Sequence, residues 1–392
     1  MTTFMTGIFN DNFPPIMDGV ALTAQNYAYW LKKKGEDVCV VTPYAPDSEE
    51  VIKAAPYPVY RYTSIPIPMR KPYRLGMPHI DRPFMHRLEQ IPFDLVHAHC
   101  PFSSGRLALH IARQRNIPIV ATFHSKYRQD FERAVHSKFI VDRAIDNIIR
   151  FYESVDEVWI PQAAVEPTIR EYGYKGRVTV VDNGNDLCRP AEEIAAIREA
   201  TRSKLGIKAE ETVFLFVGQH IWEKNIGFML DALALVKSPF RLYMIGTGYA
   251  VAPIKEKIAH LGLSDKVSML GMIQDRETMS SYYAAADLFL FPSLYDNAPL
   301  VVREAAAMHT PAILLKGSTA SEIIEDGQNG FLSDNNTAAY ANLVDQLAQH
   351  PEQIRQAGEK ASGTIARPWE NVVDEVIQRY EDIKRNYNRI AK

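Results

Sequence analysis

Short apolar runs alternate with amphipathic stretches along the whole 392-residue chain, and this alternation leaves few folds open. The early runs are Thr3–Phe9, Val38–Thr42, Asp94–His99, Ile117–Phe123, Glu157–Ile160 and Val178–Val181. Helix-period stretches lie between them, at Val20–Lys34, from Gly105 onward and near Phe139–Tyr152. Strands alternating with helices form a parallel sheet covered on both faces, and such strands read as continuous apolar runs. A polar, helix-prone stretch at Asp186–Glu211 interrupts the pattern. It restarts at Val213–Val217, Arg241–Ile245, Val267–Leu270, Asp287–Phe291 and Ala312–Leu315. The expected fold class is therefore α/β, with two doubly wound domains over 1–185 and 186–368. A last helix, from Trp369 to about Tyr387, follows the break at Arg367-Pro368, and 369–392 is expected to pack back on the first domain.

Charge and cysteine usage narrow the function class. The formal net charge is −3, which argues against a nucleic-acid partner. Cys39, Cys100 and Cys188 are far apart, offer no metal-ligand spacing and make no even disulfide set, so a reducing compartment fits best. The stretch Met1–Asn10 lacks the basic and apolar regions of a signal peptide, and no apolar run is long enough to span a bilayer. The expected location is cytoplasmic, soluble or peripheral. No Asp-x-Asp and no His/Cys/Asp cluster with metal spacing occurs, so no metal and no other cofactor is expected.

Open α/β sheets bind ligands beyond the carboxyl ends of their strands. Two such sheets in tandem would face a cleft, and four segments fall at strand ends. In the segment from Phe291, a polar loop carries Asp296, Asn297 and Ala298, and a helix is expected to begin near Pro299. Amides of Leu300 and Val301 would then be free to meet a phosphate, and Glu304 lies eight positions after Asp296. In Phe214–Asn225, a strand runs into Gly218 and Gln219, with Glu223 and Lys224 just before the next helix. After the first strand comes Asn12-Phe-Pro-Pro-Ile-Met-Asp18-Gly19, in which Gly19 lets a ligand approach the backbone at a helix start. The fourth segment places His97 and His99, then His124 and Tyr127, at two strand ends. A histidine there is also often a plain structural residue.

These motifs, in this order, resemble family 4 retaining glycosyltransferases of the GT-B fold, which has two Rossmann-like domains. The resemblance spans nearly the whole chain. It implies that a sugar nucleotide, UDP-sugar favoured, is the donor substrate. Asp296 would contact hydroxyls of the transferred sugar and Glu304 the ribose diol, a pairing suited to a carboxylate. Lys224 would neutralise the leaving diphosphate, and His124 would hydrogen-bond the sugar. Gly246, within Gly246-Thr-Gly248, and Ile273, after Gly271, would lie against the nucleotide, and His99 and Tyr127 would line the cleft. Four positions depart from the family pattern: Asp296 stands for Glu, Pro299 for Gly, Gln219 for Arg and, in the interdomain segment, Asp182 for Pro. A charged donor contributes roughly 1.5–3 kcal/mol against about 1 for a neutral one, so Gln219 weakens the diphosphate grip unless Arg303 or Lys316 compensates.

One surface feature bears on the acceptor. Between Arg61 and Lys138 there are thirteen Lys/Arg and five Asp/Glu. Arg70, Lys71, Arg74, Arg82, Arg87, Lys126, Arg128, Arg133 and Lys138 are interleaved with Phe84, Met85, Tyr127, Phe131 and Phe139. Such mixtures suit an anionic membrane surface. The histidine segments are also similar to those of bacterial diacylglycerol glucosyltransferases and phosphatidylinositol mannosyltransferases. A lipid acceptor and peripheral binding at the inner face of the cell membrane are expected. A soluble or polysaccharide acceptor and a non-catalytic sugar-nucleotide-binding protein stay open as alternatives.

Overall fold

The computed structural model describes residues 5–16, 18–67 and 73–387. Thr3 and Phe4 of the first expected strand, Met17, Arg70, Lys71 and 388–392 lie outside the described residues. The chain divides into two units, Met1–Asn183 with Trp369–Lys392, and Gly184–Pro368.

The first unit holds a seven-stranded sheet. Its strands are β1 (Met5–Phe9), β2 (Val38–Pro43), β3 (Val59–Tyr62), β6 (Phe93–Ala98), β7 (Ile119–Thr122), β8 (Glu157–Ile160) and β9 (Val178–Val180). A separate antiparallel hairpin pairs β4 (Ser64–Pro66) with β5 (Arg74–Gly76). The sheet order is β3-β2-β1-β6-β7-β8-β9, and every pairing in it is parallel. The winding reverses between β1 and β6. There Ile8 lies opposite His97 and Phe9 opposite Ala98. Such a reversal opens a crevice at the carboxyl ends, where ligands of doubly wound sheets bind.

Helix Gly19–Lys33 leaves β1 through a cap that the sequence prescribes. The Asp18 carboxylate accepts from the Ala21 amide at 2.7 Å, and Lys32 and Lys33 occupy the last turn. An Asp cap contributes about 1 kcal/mol, and cations at a helix end favour its dipole. The helix Trp369–Asn386 returns to this unit. Trp369, Val372, Val373, Val376 and Tyr380 form one buried stripe, packed in a cluster with Tyr27, Leu31 and Trp159. Lys34 also pairs with Glu370 and Asp374, at 3.1 and 2.9 Å. Those pairs are partly exposed and contribute little, so the buried stripe holds the helix.

The second unit holds β10 (Thr212–Val217), β11 (Phe240–Ile245), β12 (Val267–Gly271), β13 (Leu288–Leu290), β14 (Ala312–Leu315) and β15 (Phe331–Ser333). Their order is β12-β11-β10-β13-β14-β15, again parallel, with the reversal between β10 and β13. Strand β10 is buried along nearly its whole length because helices cover both faces. The polar stretch before it forms the helix Ala191–Lys204. Strands β3, β4, β5 and β15 gave no long apolar run. They are three or four residues long, and the first three are mostly half-buried or exposed, so their sequence carries little burial signal, while β15 is too short to show one.

Candidate functional site

In the second unit, two loops meet where the strand order reverses. After β10 the chain passes Gly218 and Gln219 and forms a short 3₁₀ turn, Trp222–Lys224. After β13 it runs through Phe291 to Pro299, which caps helix Leu300–Ala307. Asn225 adopts a left-handed backbone, φ 58°, and its side-chain amide donates to the Pro292 carbonyl at 3.3 Å. This ties the loops together and buries Lys224, which is 9% exposed. The Lys224 ammonium donates to one carboxylate oxygen of Asp296. Ser293 Oγ donates to the other at 2.6 Å. The Lys224 Nζ also lies 5.7 Å from the centre of the Phe291 ring and 5.5 Å from that of Tyr295. Two residues chosen 72 positions apart in the sequence thus form one ion pair. A lysine ammonium has three protons, so the pair leaves it donors for another oxygen.

Helix Leu300–Ala307 begins four residues after Asp296, and the Leu300 and Val301 amides precede the helix's own hydrogen-bond ladder. Glu304 sits one turn further in and is buried. Both of its oxygens are held. Arg276 Nη2 donates to Oε1 and Tyr283 Oη to Oε2, each at 2.8 Å. Arg276 also grips Asp186, with Nε 3.1 Å from Oδ2. Arg276 and Tyr283 lie seven residues apart on helix Arg276–Ala285, hence on one face. Sequence reasoning missed both. Their only signal was that spacing, and Asp275-Arg276-Glu277 reads as an ordinary charged helix start.

Several expectations change. Arg303 and Lys316 both have partners within the protein. Arg303 is buried and donates to the Ile365 carbonyl at 3.2 Å, and Lys316 pairs with Asp334 at 3.0 Å. Gln219 is exposed. Gly246 and Gly248 are required by the protein's own packing. A Cβ on Gly246 would lie 1.9 Å from the Gly218 carbonyl oxygen, and one on Gly248 2.5 Å from that of His220. These glycines let the loop after β11 lie against the loop after β10, where the His220 amide donates to Thr247 O at 2.9 Å. Ile273 is half-buried against the core beyond β12.

In the first unit, the ends of β6 and β7 carry the histidines. His97 is wholly buried and structural: Nδ1 lies 2.6 Å from Tyr380 Oη and Nε2 2.7 Å from Thr122 Oγ1. The His97 and His99 rings stack with centres 4.2 Å apart. His99 Nδ1 in turn lies 3.0 Å from His124 Nε2. Burial keeps all three rings neutral and pushes His124 down to about 3. Tyr127 is a packing residue, 5% exposed, among Phe102, Phe123 and Tyr152, with its hydroxyl 3.4 Å from that of Tyr152. Gly19 differs from Gly246 and Gly248. A Cβ there meets nothing within 4 Å, so internal packing does not require its lack of a side chain.

Asp11, just past β1, was not picked out from the sequence. Its Oδ1 accepts from Ser103 Oγ and from the Ser104 amide, and burial pushes its carboxyl up. The basic segment also reads differently. Phe84 and Tyr127 are core residues, Met85 and Phe131 are partly buried, and only Phe139 of the named apolar residues is exposed, at 74%. Among the described residues, the exposed apolar residues of this region also include Ile140 beside it, the cross-strand pair Ile65 and Leu75, Ile80 and Phe102. Among the described residues, no group of three or more His, Cys, Asp or Glu could hold a metal ion, and no helix is long and apolar enough to cross a membrane.

Comparison with known proteins follows the same division. Residues 17–189 match the family described as Glycosyltransferase Family 4, and residues 197–364 match Glycosyl transferases group 1. The chain is 30% identical over 336 residues to an alpha-monoglucosyldiacylglycerol synthase of Streptococcus pneumoniae, covering 83% of this chain and 74% of that one. It is 27% identical over 362 residues to the synthase of the same name from Acholeplasma laidlawii, covering 88% of each. The fold is similar to that of sucrose-phosphate synthase from Thermosynechococcus elongatus, with a TM-score of 0.80, 20% identity and coverage of 97% and 99%. It is also similar to Anabaena HepE, solved with UDP and glucose, with a TM-score of 0.76, 18% identity and coverage of 97% and 99%.

Proposed function

Because the chain belongs to the family 4 glycosyltransferases of the GT-B fold and is a hexosyltransferase, we propose that it moves a hexose from UDP-glucose or UDP-galactose to a membrane-lipid hydroxyl with retention of the α configuration. One observation carries this reading. Lys224, Asp296, Glu304 and the first amides of helix Leu300–Ala307 gather at the reversal between β10 and β13, where a diphosphate and a ribose need a cation, donors and a carboxylate.

Lys224 and the Leu300 and Val301 amides stabilise the charge that grows on the departing diphosphate, and no metal is needed for it. Gly218, Gln219, Gly246 and Ile273 line the approach of the nucleotide, and Gly19 lets the phosphates approach the backbone before helix Gly19–Lys33. Glu304 takes the ribose hydroxyls with the lone pairs that Arg276 and Tyr283 leave. Asp296, with Asn297 and Ala298, meets the sugar hydroxyls and aims Lys224. His124 hydrogen-bonds the sugar, with His99 behind it. The acceptor hydroxyl enters on the face the phosphate leaves, and the leaving phosphate oxygen takes its proton.

The relatives' names supply glucose, the alpha linkage and diacylglycerol as the choices to try first. The exposed Ile65, Leu75, Ile80, Phe139 and Ile140 support a lipid surface, with Arg82, Arg106, Arg113, Lys138 and Arg143 exposed in the same unit. Apolar side chains can enter the acyl boundary while cations face anionic head groups. The test is nucleotide release from a panel of UDP- and GDP-sugars, with diacylglycerol or soluble sugars as acceptors. The reading expects UDP release that depends on lipid. Activity confined to soluble acceptors overturns the lipid assignment, and binding without any turnover or donor hydrolysis overturns catalysis.

A further inference from the structure

The reversal in the first unit holds polar atoms that the protein itself leaves unused. Asp11 follows β1, and Ser103 and Ser104 follow β6, so all three stand beyond the carboxyl ends of the strands between which the order reverses. The second unit has Lys224 and Asp296 at the equivalent place, after β10 and β13. Asp11 Oδ1 accepts from Ser103 Oγ and, at 3.0 Å, from the Ser104 amide, at the start of helix Ser103–Arg115. Its Oδ2 is buried and meets no hydrogen-bond partner among the described residues. Ser104 is wholly buried, and its Oγ is a second such atom. Ser104 Oγ lies near enough to Asp11 to favour the charged carboxylate, yet the two share no hydrogen bond. Buried polar atoms are normally paired, and each exception costs free energy. A hydroxyl between the two would donate to Asp11 Oδ2 and accept from Ser104 Oγ, which satisfies both. An acid in that position repels a phosphate and takes a donor.

We propose that Asp11 and Ser104 form the subsite for the acceptor's hydroxyl, an alcohol carried on an apolar molecule. This deepens, and rests on, the proposed transfer to a lipid hydroxyl. The surroundings match such a ligand. Phe102, which is exposed, immediately precedes the helix. Strand β5 of the hairpin covers the cluster, since a Cβ on Gly76 would meet Ser103 Oγ at 2.5 Å and the Tyr62 ring at 2.4 Å. The same hairpin carries the exposed Ile65 and Leu75. A two-stranded hairpin has little stability of its own, so its displacement by acyl chains is the route to the two covered oxygens. Asp11 only orients the hydroxyl. As the acceptor oxygen bonds the sugar carbon and the phosphate oxygen leaves it, the hydroxyl proton goes to that departing oxygen.

The experiment follows 1,2-dioctanoylglycerol by kinetics and by calorimetry on the full chain and two conservative variants. Asp11→Asn keeps an oxygen for Ser103 and the Ser104 amide but puts a donor where the free acceptor was. Ser104→Ala keeps the amide and removes only the unpaired hydroxyl. Asp11→Asn should raise the KM for dioctanoylglycerol roughly tenfold and weaken its binding by a similar factor, with less than about a threefold change in the KM for UDP-glucose. Ser104→Ala should raise the acceptor KM roughly threefold with no fall in the urea midpoint, because the hydroxyl has no partner to lose. Equal losses toward acceptor and donor in Asp11→Asn overturn the inference. So do acceptor KM and affinity that stay the same in both variants, which would make the gap the seat of an internal water only. If the parent uses a soluble sugar instead, the lipid reading fails and that acceptor's KM decides: a rise of roughly tenfold in Asp11→Asn keeps the subsite, and no change overturns it. If the parent turns nothing over, calorimetry decides alone: weaker dioctanoylglycerol binding in Asp11→Asn keeps the subsite, and equal or absent binding overturns it.

Discussion

Tyr283 Oη donates to Glu304 Oε2 across 2.8 Å in the interior of the second unit. The bond fixes one oxygen of the carboxylate while Arg276 fixes the other, so Glu304 is aimed before any ligand arrives. Tyr283→Phe removes one neutral-to-charged bond and leaves Arg276 in place. UDP affinity, measured by calorimetry, should fall roughly threefold to tenfold, with kcat within about twofold. Unchanged affinity would mean that Glu304 is not a nucleotide contact.

Lys224→Met should cost roughly 10²–10³ in kcat, because a preorganised cation facing the leaving group is lost. Asp296 keeps its bond from Ser293, so the melting temperature should move little compared with the rate. A rate within threefold of the parent would remove Lys224 from the reaction.

The three stacked histidines give stability a pH dependence whose sign can be worked out. Burial lowers the folded-state pKa of His97, His99 and His124, the last to about 3, below the unfolded value near 6.5. Between those values the unfolded chain binds more protons, so stability is full above about pH 6.5 and falls as pH drops toward the folded values. Each ring that stays neutral should cost roughly 1 kcal/mol on going from pH 7 to 5.5. Urea midpoints across that range check it. The loss should be smaller in His97→Gln, and an equal slope in that variant would contradict the assignment.

Trp369→Ala empties a fully buried site between the returning helix and Tyr27. A loss of roughly 3–5 kcal/mol in chemical unfolding is expected. A loss under about 1 kcal/mol would show that helix Trp369–Asn386 does not hold the first unit together.

The parallel sheets were legible because both of their faces are buried, which turns a strand such as Thr212–Val217 into an unbroken apolar run. Short edge strands such as Val59–Tyr62 were not, since half-buried positions carry no such signal. In the site, motif order along the chain pointed to Lys224, Asp296 and Glu304, and the structure adds that the first two are an ion pair. Arg276, Tyr283 and Asp11 escaped notice because each matters through what folding places opposite it. Gly246 and Gly248 were noticed for a nucleotide, whereas two carbonyl oxygens of the neighbouring loop exclude any side chain there. The strand-end position of Tyr127 likewise gave no sign that aromatic rings would enclose it.

Vesicle co-sedimentation checks the proposed lipid surface. Binding to vesicles rich in phosphatidylglycerol should exceed binding to pure phosphatidylcholine and weaken with salt. Replacing Phe139 and Ile140 with Ser should reduce it several-fold without changing donor hydrolysis. Equal binding to both vesicle types, or none at low salt, would contradict the surface.

Nucleotide diphosphate held without a bridging ion is the centre of the account, and a crystal soaked with UDP in a metal chelator addresses it directly. The expected map has phosphate oxygens within hydrogen-bond reach of Lys224 Nζ and the Leu300 and Val301 amides, and the ribose on Glu304. A UDP seated away from Lys224 and Glu304, or one that binds only when a divalent ion is restored, would contradict it.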